Sequence, residues 1–180
     1  MIILVGASAS GKTVIAKLLA ARYDIKKAIT HTTRNKREGE VNGVDYFFVT
    51  KNEFLLMERM GEFVETTWYN GNFYGCSKAQ VADDKCVVVD PAGLEHFLDL
   101  GSKRIIAFYL DADEETRRKR MEGRGDKEED ILKRIENDRL VFNEDVKEKC
   151  RCVVKVEGKT IDELTDFIAA QYQKILAELN

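Results

Sequence analysis

The sequence predicts an α/β fold in which a mostly parallel sheet is covered by helices on both faces. The first observation is the apolar run Ile2-Ile3-Leu4-Val5, which is typical of a buried strand and is followed by helically spaced apolar residues after Lys12. The second is the alternation of strand and helix patterns along the second half of the chain. Such sheets bind ligands at the carboxyl ends of their strands.

The segment between the first strand and the first helix fits the spacing of a P-loop, a glycine and four free positions followed by Gly-Lys-Thr. Small residues let backbone N–H groups converge on phosphates, and the helix N-terminus adds its positive dipole end. We expect Lys12 to reach the β- and γ-phosphates of a bound nucleotide and the Thr13 hydroxyl to ligate Mg²⁺. The loop alone marks nucleotide binding and is shared by kinases, GTPases, motors and transporter ATPases. A plain turn with a solvated lysine is the disfavoured alternative. The predicted ATP-binding residues are Gly6, Ala7, Ser8, Ala9, Ser10, Gly11, Lys12 and Thr13.

The first half of the chain combines a helix with a small strand-rich segment. A Thr50–Glu53 capping box opens a helix that Gly61 ends, and Asn70-Gly71 is a strong hairpin signal. The predicted elements are a helix from Lys12 to Arg22, strands from Lys27 to Thr30, Asp45 to Val49 and Phe63 to Tyr69, and a returning strand from Asn72. We expect residues 32–76 to form a small antiparallel insert that carries the helix.

The second half returns to alternating strands and helices. A capping box at Ser77-Lys78-Ala79-Gln80 predicts a short helix, and one at Thr160 with Glu163 opens the last helix. Between them the patterns predict strands from Cys86 to Asp90, Arg104 to Leu110 and Cys152 to Val156, and helices from Gly93 to Leu100, Glu114 to Met121 and Glu128 to Lys149.

Composition limits the classes of protein. A chain of 180 residues with 44% hydrophobic and 34% charged residues suits one globular unit. The net charge of −3 argues against a nucleic acid polymer as partner, and no apolar run is long enough to span a membrane. The four cysteines form no C-x-x-C pair and lack a nearby His, so we expect reduced thiols, no zinc site and a cytoplasmic protein.

Positive charge is concentrated in two places. Arg34 and Arg37 are three residues apart, and Tyr46 follows shortly after them. Guanidinium groups bind a doubly charged phosphate bidentately, and a phenol adds an orienting donor, so this segment predicts a second phosphate site. A solvated basic loop is the alternative. The second concentration of positive charge comprises Arg117, Arg118, Lys119, Arg120 and Arg124. We interpret the first three of these residues as a solvated helix face.

The segment from Thr30 to Phe48 resembles the guanylate kinase family, which carries a T-T-R-x-x-R-x-G-E-V-x-G-x-D-Y block at this place. Further matches are Gly61-Glu62-Phe63-Val64-Glu65, Asn72-Phe73-Tyr74-Gly75, Asp90 with Gly93, and Arg120-Met121-Glu122-Gly123-Arg124-Gly125. The similarity covers nearly the whole chain in the same order. It implies a kinase that transfers the γ-phosphoryl group of ATP to GMP.

The resemblance also implies roles for individual residues. The GMP phosphate would be held by Arg34, Arg37, Tyr46 and Tyr74, and the guanine would be addressed by Thr30, Glu65, Asp90 and the residue at position 76. The transferred group would be surrounded by Lys12, Arg120, Arg124 and Arg134. A core of about residues 1–31 and 77–180 would then carry a GMP-binding insert of about 32–76 and a lid of about 120–135. We expect a monomer or a homodimer acting on small molecules.

Three positions depart from the family pattern. Cys76 stands where Thr or Ser is usual, Val88 replaces an additional Asp, and Ala92 replaces a frequent Gln. Two alternatives therefore stay open: a kinase of this fold that phosphorylates another small phosphate ester, and a non-catalytic interaction module. The retained P-loop and arginines argue against the module.

Overall fold

The computed structural model describes residues 1–69 and 71–179 and bears out the predicted α/β architecture. The strands are β1 (Ile2–Val5), β2 (Lys26–Lys27), β3 (His31–Thr32), β4 (Phe47–Phe48), β5 (Phe63–Tyr69), β6 (Asn72–Ser77), β7 (Lys85–Val88), β8 (Ile106–Asp111) and β9 (Cys152–Lys155). The helices are α1 (Lys12–Tyr23), α2 (Lys51–Arg59), α3 (Pro91–Leu98), α4 (Glu114–Gly123), α5 (Glu128–Val141), α6 (Glu144–Lys149) and α7 (Ile161–Glu178).

Five parallel strands in the order β2-β7-β1-β8-β9 form the main sheet. Alternate residues of β1 point to opposite faces, so Ile2 and Leu4 pack in the core layer that contains α1 and α7. Ile3 and Val5 pack in the layer that contains α3. Both faces are therefore covered, and the predicted phosphate-binding segment follows the carboxyl end of the central strand, β1. No helix in the described ranges is both long and apolar enough to cross a bilayer.

A second sheet, in the order β4-β3-β6-β5, is built from residues 31–77. The predicted hairpin of β5 and β6 is confirmed, although Asn70 of its turn lies outside the described residues. The Thr50–Glu53 capping box is also confirmed, and Phe54 of α2 stacks on Phe63 with ring centroids 4.5 Å apart. The expectation of a purely antiparallel insert is wrong, because β3 and β4 pair in parallel. The division into core, insert and lid stays a prediction.

Two local predictions around this sheet are wrong. The strand predicted from Lys27 to Thr30 is divided, since Lys26–Lys27 pairs with β7 of the main sheet and His31–Thr32 joins the second sheet. Residues 78–80 form one 3₁₀ turn without a side-chain cap. The Gln80 amide oxygen instead accepts a hydrogen bond from the Ile29 N–H at 3.0 Å, so a tertiary contact replaces the local one.

The helix predicted from Glu128 to Lys149 is two helices. Asn143 lies between them, and its side-chain oxygen accepts a hydrogen bond from the Val146 N–H, which makes it the N-cap of α6. Asparagine favours this position over a helix interior because its amide competes for backbone groups.

The interpretation of residues 117–119 as a solvated helix face is wrong for Arg117, which is 4% exposed. Its guanidinium lies 2.7 Å from the Asp138 carboxylate of α5. Arg118 and Lys119 do form surface ion pairs, with Glu122 and Glu115 on their own helix. The partner that buries Arg117 is 21 residues away, so the local pattern cannot reveal it.

Candidate nucleotide-binding site

The segment from Gly6 to Thr13 curls between β1 and α1, and close approach of neighbouring atoms requires both of its glycines. A Cβ atom on Gly6 would lie 2.7 Å from the Leu110 carbonyl oxygen. At Gly11, where φ is +107°, a Cβ would lie 3.0 Å from Ile161 and 3.6 Å from a guanidinium nitrogen of Arg120. Side chains at these positions would push the loop away from the residues that surround it.

The Lys12 side chain lies across this loop. Its ammonium donates to the carbonyl oxygens of Gly6 at 2.5 Å and Ala7 at 2.9 Å, and to the Ser10 hydroxyl at 3.3 Å. Burial lowers the pKa of Lys12 from its usual 10.5 to about 8, while the Asp138 charge opposes this shift. The loop therefore presents a partly desolvated cation, which attracts a phosphate more strongly than a fully solvated one does.

Two arginines of the predicted lid lie against the same loop. Arg120 donates to the Ala9 carbonyl oxygen at 3.1 Å, and Arg120 and Arg124 line a cavity of about 320 Å³ together with Lys12 and Thr13. Arg134 does not line this cavity. It reaches Asp126 at 3.5 Å, and Asp126 also holds Arg124 at 2.7 Å. One carboxylate thus gathers two of the predicted phosphoryl-binding arginines.

The basic segment is arranged around a residue whose role the sequence analysis missed, Glu40. One Glu40 oxygen accepts from the Arg34 guanidinium at 2.6 Å, and the other accepts from the Arg37 N–H at 2.7 Å. The Arg34 guanidinium also lies 5.4 Å from the centre of the Tyr46 ring, which is 6.2 Å from the Tyr74 ring. Arg34, Tyr46 and Tyr74 are therefore brought together as predicted, with Arg37 exposed beside them. In the sequence, the only indication of this role was the position of the Glu40 carboxylate close to the basic residues Arg34 and Arg37.

The predicted base-reading residues divide between two places. Glu65 and Cys76 oppose each other in the β5–β6 ladder, so their side chains share one face of the hairpin. Burial raises the pKa of Glu65, and the neighbouring Asp90 charge adds to this. Asp90 also caps α3, because it accepts from the Gly93 N–H at 2.8 Å. Thr30 lines a separate cavity of about 500 Å³ with Thr13, Lys17 and Val88.

Cys76 is a buried thiol. Its side chain is 1% exposed within the core layer that includes β1 and α3, and its sulfur lies 3.9 Å from the Ser77 carbonyl oxygen. Burial, together with the nearby Glu65 charge, raises the pKa of Cys76 to about 12. The residue therefore remains a neutral thiol and a weak hydrogen-bond partner.

Comparison with known proteins agrees with this geometry. A family model described as guanylate kinase matches residues 1–170. The guanylate kinase of Clostridioides difficile (strain 630) is 31% identical in an alignment 197 positions long, which covers 99% of this chain and 94% of that protein. The guanylate kinase of Fusobacterium nucleatum is 30% identical in an alignment 169 positions long, which covers 84% of this chain and 91% of that protein.

A solved structure gives the same result. The crystal structure of guanylate kinase from Anaplasma phagocytophilum matches with a TM-score of 0.60 and 25% identity, covering 97% of this chain and 84% of that one. The predicted phosphate loop, the arginines held by Glu40 and Asp126, and these matches along nearly the full length lead to one assignment. This chain belongs to the guanylate kinase family.

Proposed function

We propose that this protein transfers the γ-phosphoryl group of ATP to GMP, giving ADP and GDP. The observation that carries the proposal is that a chain of this family keeps both cationic sites, the phosphate loop with Lys12 and the Arg34–Tyr46–Tyr74 cluster. A cavity lined by both Thr13 and Thr30 adds support, because these residues belong to the proposed ATP and GMP sites respectively.

Phosphoryl transfer requires little covalent chemistry from the protein. In the proposed complex, Arg34, Arg37, Tyr46 and Tyr74 hold the GMP phosphate as the attacking group. Guanine is read by Thr30, Glu65, Cys76 and Asp90. Charge on the equatorial oxygens is offset by Lys12, Arg120, Arg124 and Arg134. The backbone N–H groups of the loop that the protein itself does not engage orient the ATP phosphates.

The residues fit Mg²⁺ bound together with ATP. In residues 1–69 and 71–179 no group of three or more His, Cys, Asp and Glu side chains could hold a metal ion alone. Thr13 is exposed on the first turn of α1 and lines the cavity of Lys12, so its hydroxyl suits a cation whose other ligands are phosphate oxygens and water. When bound, Mg²⁺ neutralises charge on the β- and γ-phosphates.

We expect the protein to close around its two substrates. Arg124 and Arg134 are held by Asp126, so binding of the transferred group requires them to exchange this carboxylate for phosphate. A bisubstrate analogue that joins adenosine and guanosine through phosphates should therefore lower the radius of gyration in solution scattering, whereas adenosine alone should not. An unchanged radius with the analogue would contradict closure.

Replacement of Cys76 by threonine tests its place in the guanine site. The added hydroxyl can donate to or accept from the base, and one neutral hydrogen bond is worth about 0.5 to 1.5 kcal/mol. We expect the KM for GMP to fall several-fold while the KM for ATP stays constant. Cys76→Val, which has nearly the same shape without the hydroxyl, is the control. An equal change for both substrates would show that position 76 acts only through packing.

A coupled assay of ATP consumption with a panel of nucleoside monophosphates tests the function. Turnover with GMP far above the other acceptors is the expected result. Preference for another acceptor would favour the alternative kinase, for which Val88, 37% exposed in the cavity shared by Thr13 and Thr30, is the relevant residue. Binding of nucleotide without turnover of any acceptor would favour the interaction module. We also propose a cytoplasmic monomer or homodimer, with no nucleic acid or membrane partner.

A further inference from the structure

A buried ion pair joins the two helices that flank the predicted lid. Arg117 of α4 donates to Asp138 of α5 at 2.7 Å, and the two residues are 4% and 5% exposed. The predicted lid, about 120–135, lies between these two positions: it begins shortly after Arg117 and ends shortly before Asp138. The pair therefore lies at the base of the lid, where its two helices meet.

The same carboxylate also holds the phosphate loop. Asp138 accepts from the Ser8 N–H at 2.9 Å and from the Ser8 hydroxyl at 3.3 Å. Ser8 follows Ala7, whose carbonyl oxygen accepts from the Lys12 ammonium. Donors from α4 and from the loop thus meet on one carboxylate of α5.

The buried pair of Arg117 and Asp138 is not expected to add much to the stability of the fold. Removing two charges from water offsets most of their attraction, and an apolar pair of similar volume often stabilises a fold as well or better. Within the described part of the chain, the buried Arg117 Nε finds no hydrogen-bond partner, which adds a further penalty. What an apolar pair cannot provide is the charged acceptor for Ser8.

We propose that Asp138 is a positioning residue that fixes the curvature of the phosphate loop through Ser8, and that Arg117 orients its carboxylate and couples the loop to the base of the lid. This inference rests on the proposed ATP site. Asp138 and Arg117 belong neither to the proposed GMP site nor to the residues proposed to contact phosphate. Ser8 anchors the first half of the loop, so its release should disperse the N–H groups that converge on the nucleotide.

Asp138→Asn keeps the shape but leaves one acceptor oxygen for two groups of donors. We expect its affinity for ADP, measured by calorimetry without GMP, to fall about tenfold or more, since charge-assisted hydrogen bonds are the stronger class. The KM for ATP should rise in parallel, with the KM for GMP unchanged. The matched control is Glu114→Gln, which breaks an exposed α4–α5 ion pair with Arg139 and does not contact the loop. It should bind ADP as the wild type does.

A second variant separates positioning from folding. Arg117→Met combined with Asp138→Leu replaces the pair by apolar side chains, and we expect a folded protein with a similar unfolding midpoint that still binds ADP weakly. Wild-type affinity for ADP in Asp138→Asn or in the double variant would overturn the proposal, as would an equal loss in Glu114→Gln. A wild type that binds ADP but phosphorylates no GMP would refute the proposed function and leave this inference standing.

Discussion

Replacement of Glu65 by glutamine is expected to abolish the preference for GMP over AMP. Guanine presents N1–H and an exocyclic N2–H₂ as adjacent donors, which one carboxylate accepts as a pair. Glutamine offers one acceptor and one donor, so its amide N–H₂ would oppose a donor of the base. Adenine has an acceptor at N1 and no amino group at C2, and it would leave the wild-type carboxylate buried and unpaired.

The effect should be large because the site is already desolvated. Burial raises the pKa of Glu65 in the ligand-free protein, which indicates that the fold, and not only the bound base, removes water from this carboxylate. Sites built around such hydrogen bonds reject the wrong partner by about 10⁴ to 10⁵. The ratio of kcat/KM for GMP to that for AMP measures the effect. Glu62→Gln, at an exposed neighbour, is the control and should keep the wild-type ratio.

Stability and pH provide independent checks on Glu65. The folded state holds its proton more firmly than the unfolded chain, so this group contributes stability at low pH that is lost as pH rises through the raised pKa. Above the raised pKa the contribution is gone, and there Glu65→Gln should unfold at a midpoint no lower than the wild type. The KM for GMP should rise as the wild type is acidified through this pKa, but not in the variant. A variant that keeps its preference for GMP would refute the assignment.

The parts of the fold that the sequence predicts are those with local causes. The strand at Ile2–Val5, the capping boxes at Thr50 and Thr160, and the hairpin of β5 and β6 each depend on residues a few positions apart. The helix break at Asn143 is also local, but its cap competed with a helical apolar pattern that continued on both sides. The structure shows that the cap prevails there.

The parts that the sequence could not predict depend on distant partners. Charge spacing around Arg117 is that of an exposed helix face, and only the approach of Asp138 from α5 makes burial tolerable. Gln80 likewise depends on a distant partner, because its amide oxygen accepts a hydrogen bond from the Ile29 N–H instead of capping its own turn. In the candidate site, residue types and the resemblance to the family predict which side chains bind phosphate. The orienting role of the carboxylates Glu40 and Asp126 is established by their ion pairs with Arg34 and Arg124. For Glu40 the sequence offered a hint, its place inside a basic segment, but not the partner.

Removal of the ammonium in Lys12→Met is expected to lower kcat about a hundred- to thousandfold. Loss of one preorganised donor to developing charge typically has this effect, and the methionine keeps most of the length of the side chain. Lys26→Met, which removes an exposed lysine paired with Asp24, is the control for the loss of one positive charge and should retain full activity. Turnover of Lys12→Met within threefold of the wild type would refute the phosphate-loop assignment.

The same substitution should not weaken the ligand-free fold, because burial of the Lys12 charge works against folding. Its pKa is about 8 in the folded state and 10.5 in its ordinary environment, so between these values the unfolded chain keeps a proton that the folded protein releases. Stability from this group therefore rises with pH across that window. We expect Lys12→Met to unfold at a higher midpoint than the wild type at pH 7, with the difference narrowing as pH approaches 10. An inactive variant that is also destabilised at pH 7 would contradict this expectation. It would show that the hydrogen bonds of Lys12 to Gly6 and Ala7 stabilise the fold by more than burial of the charge destabilises it.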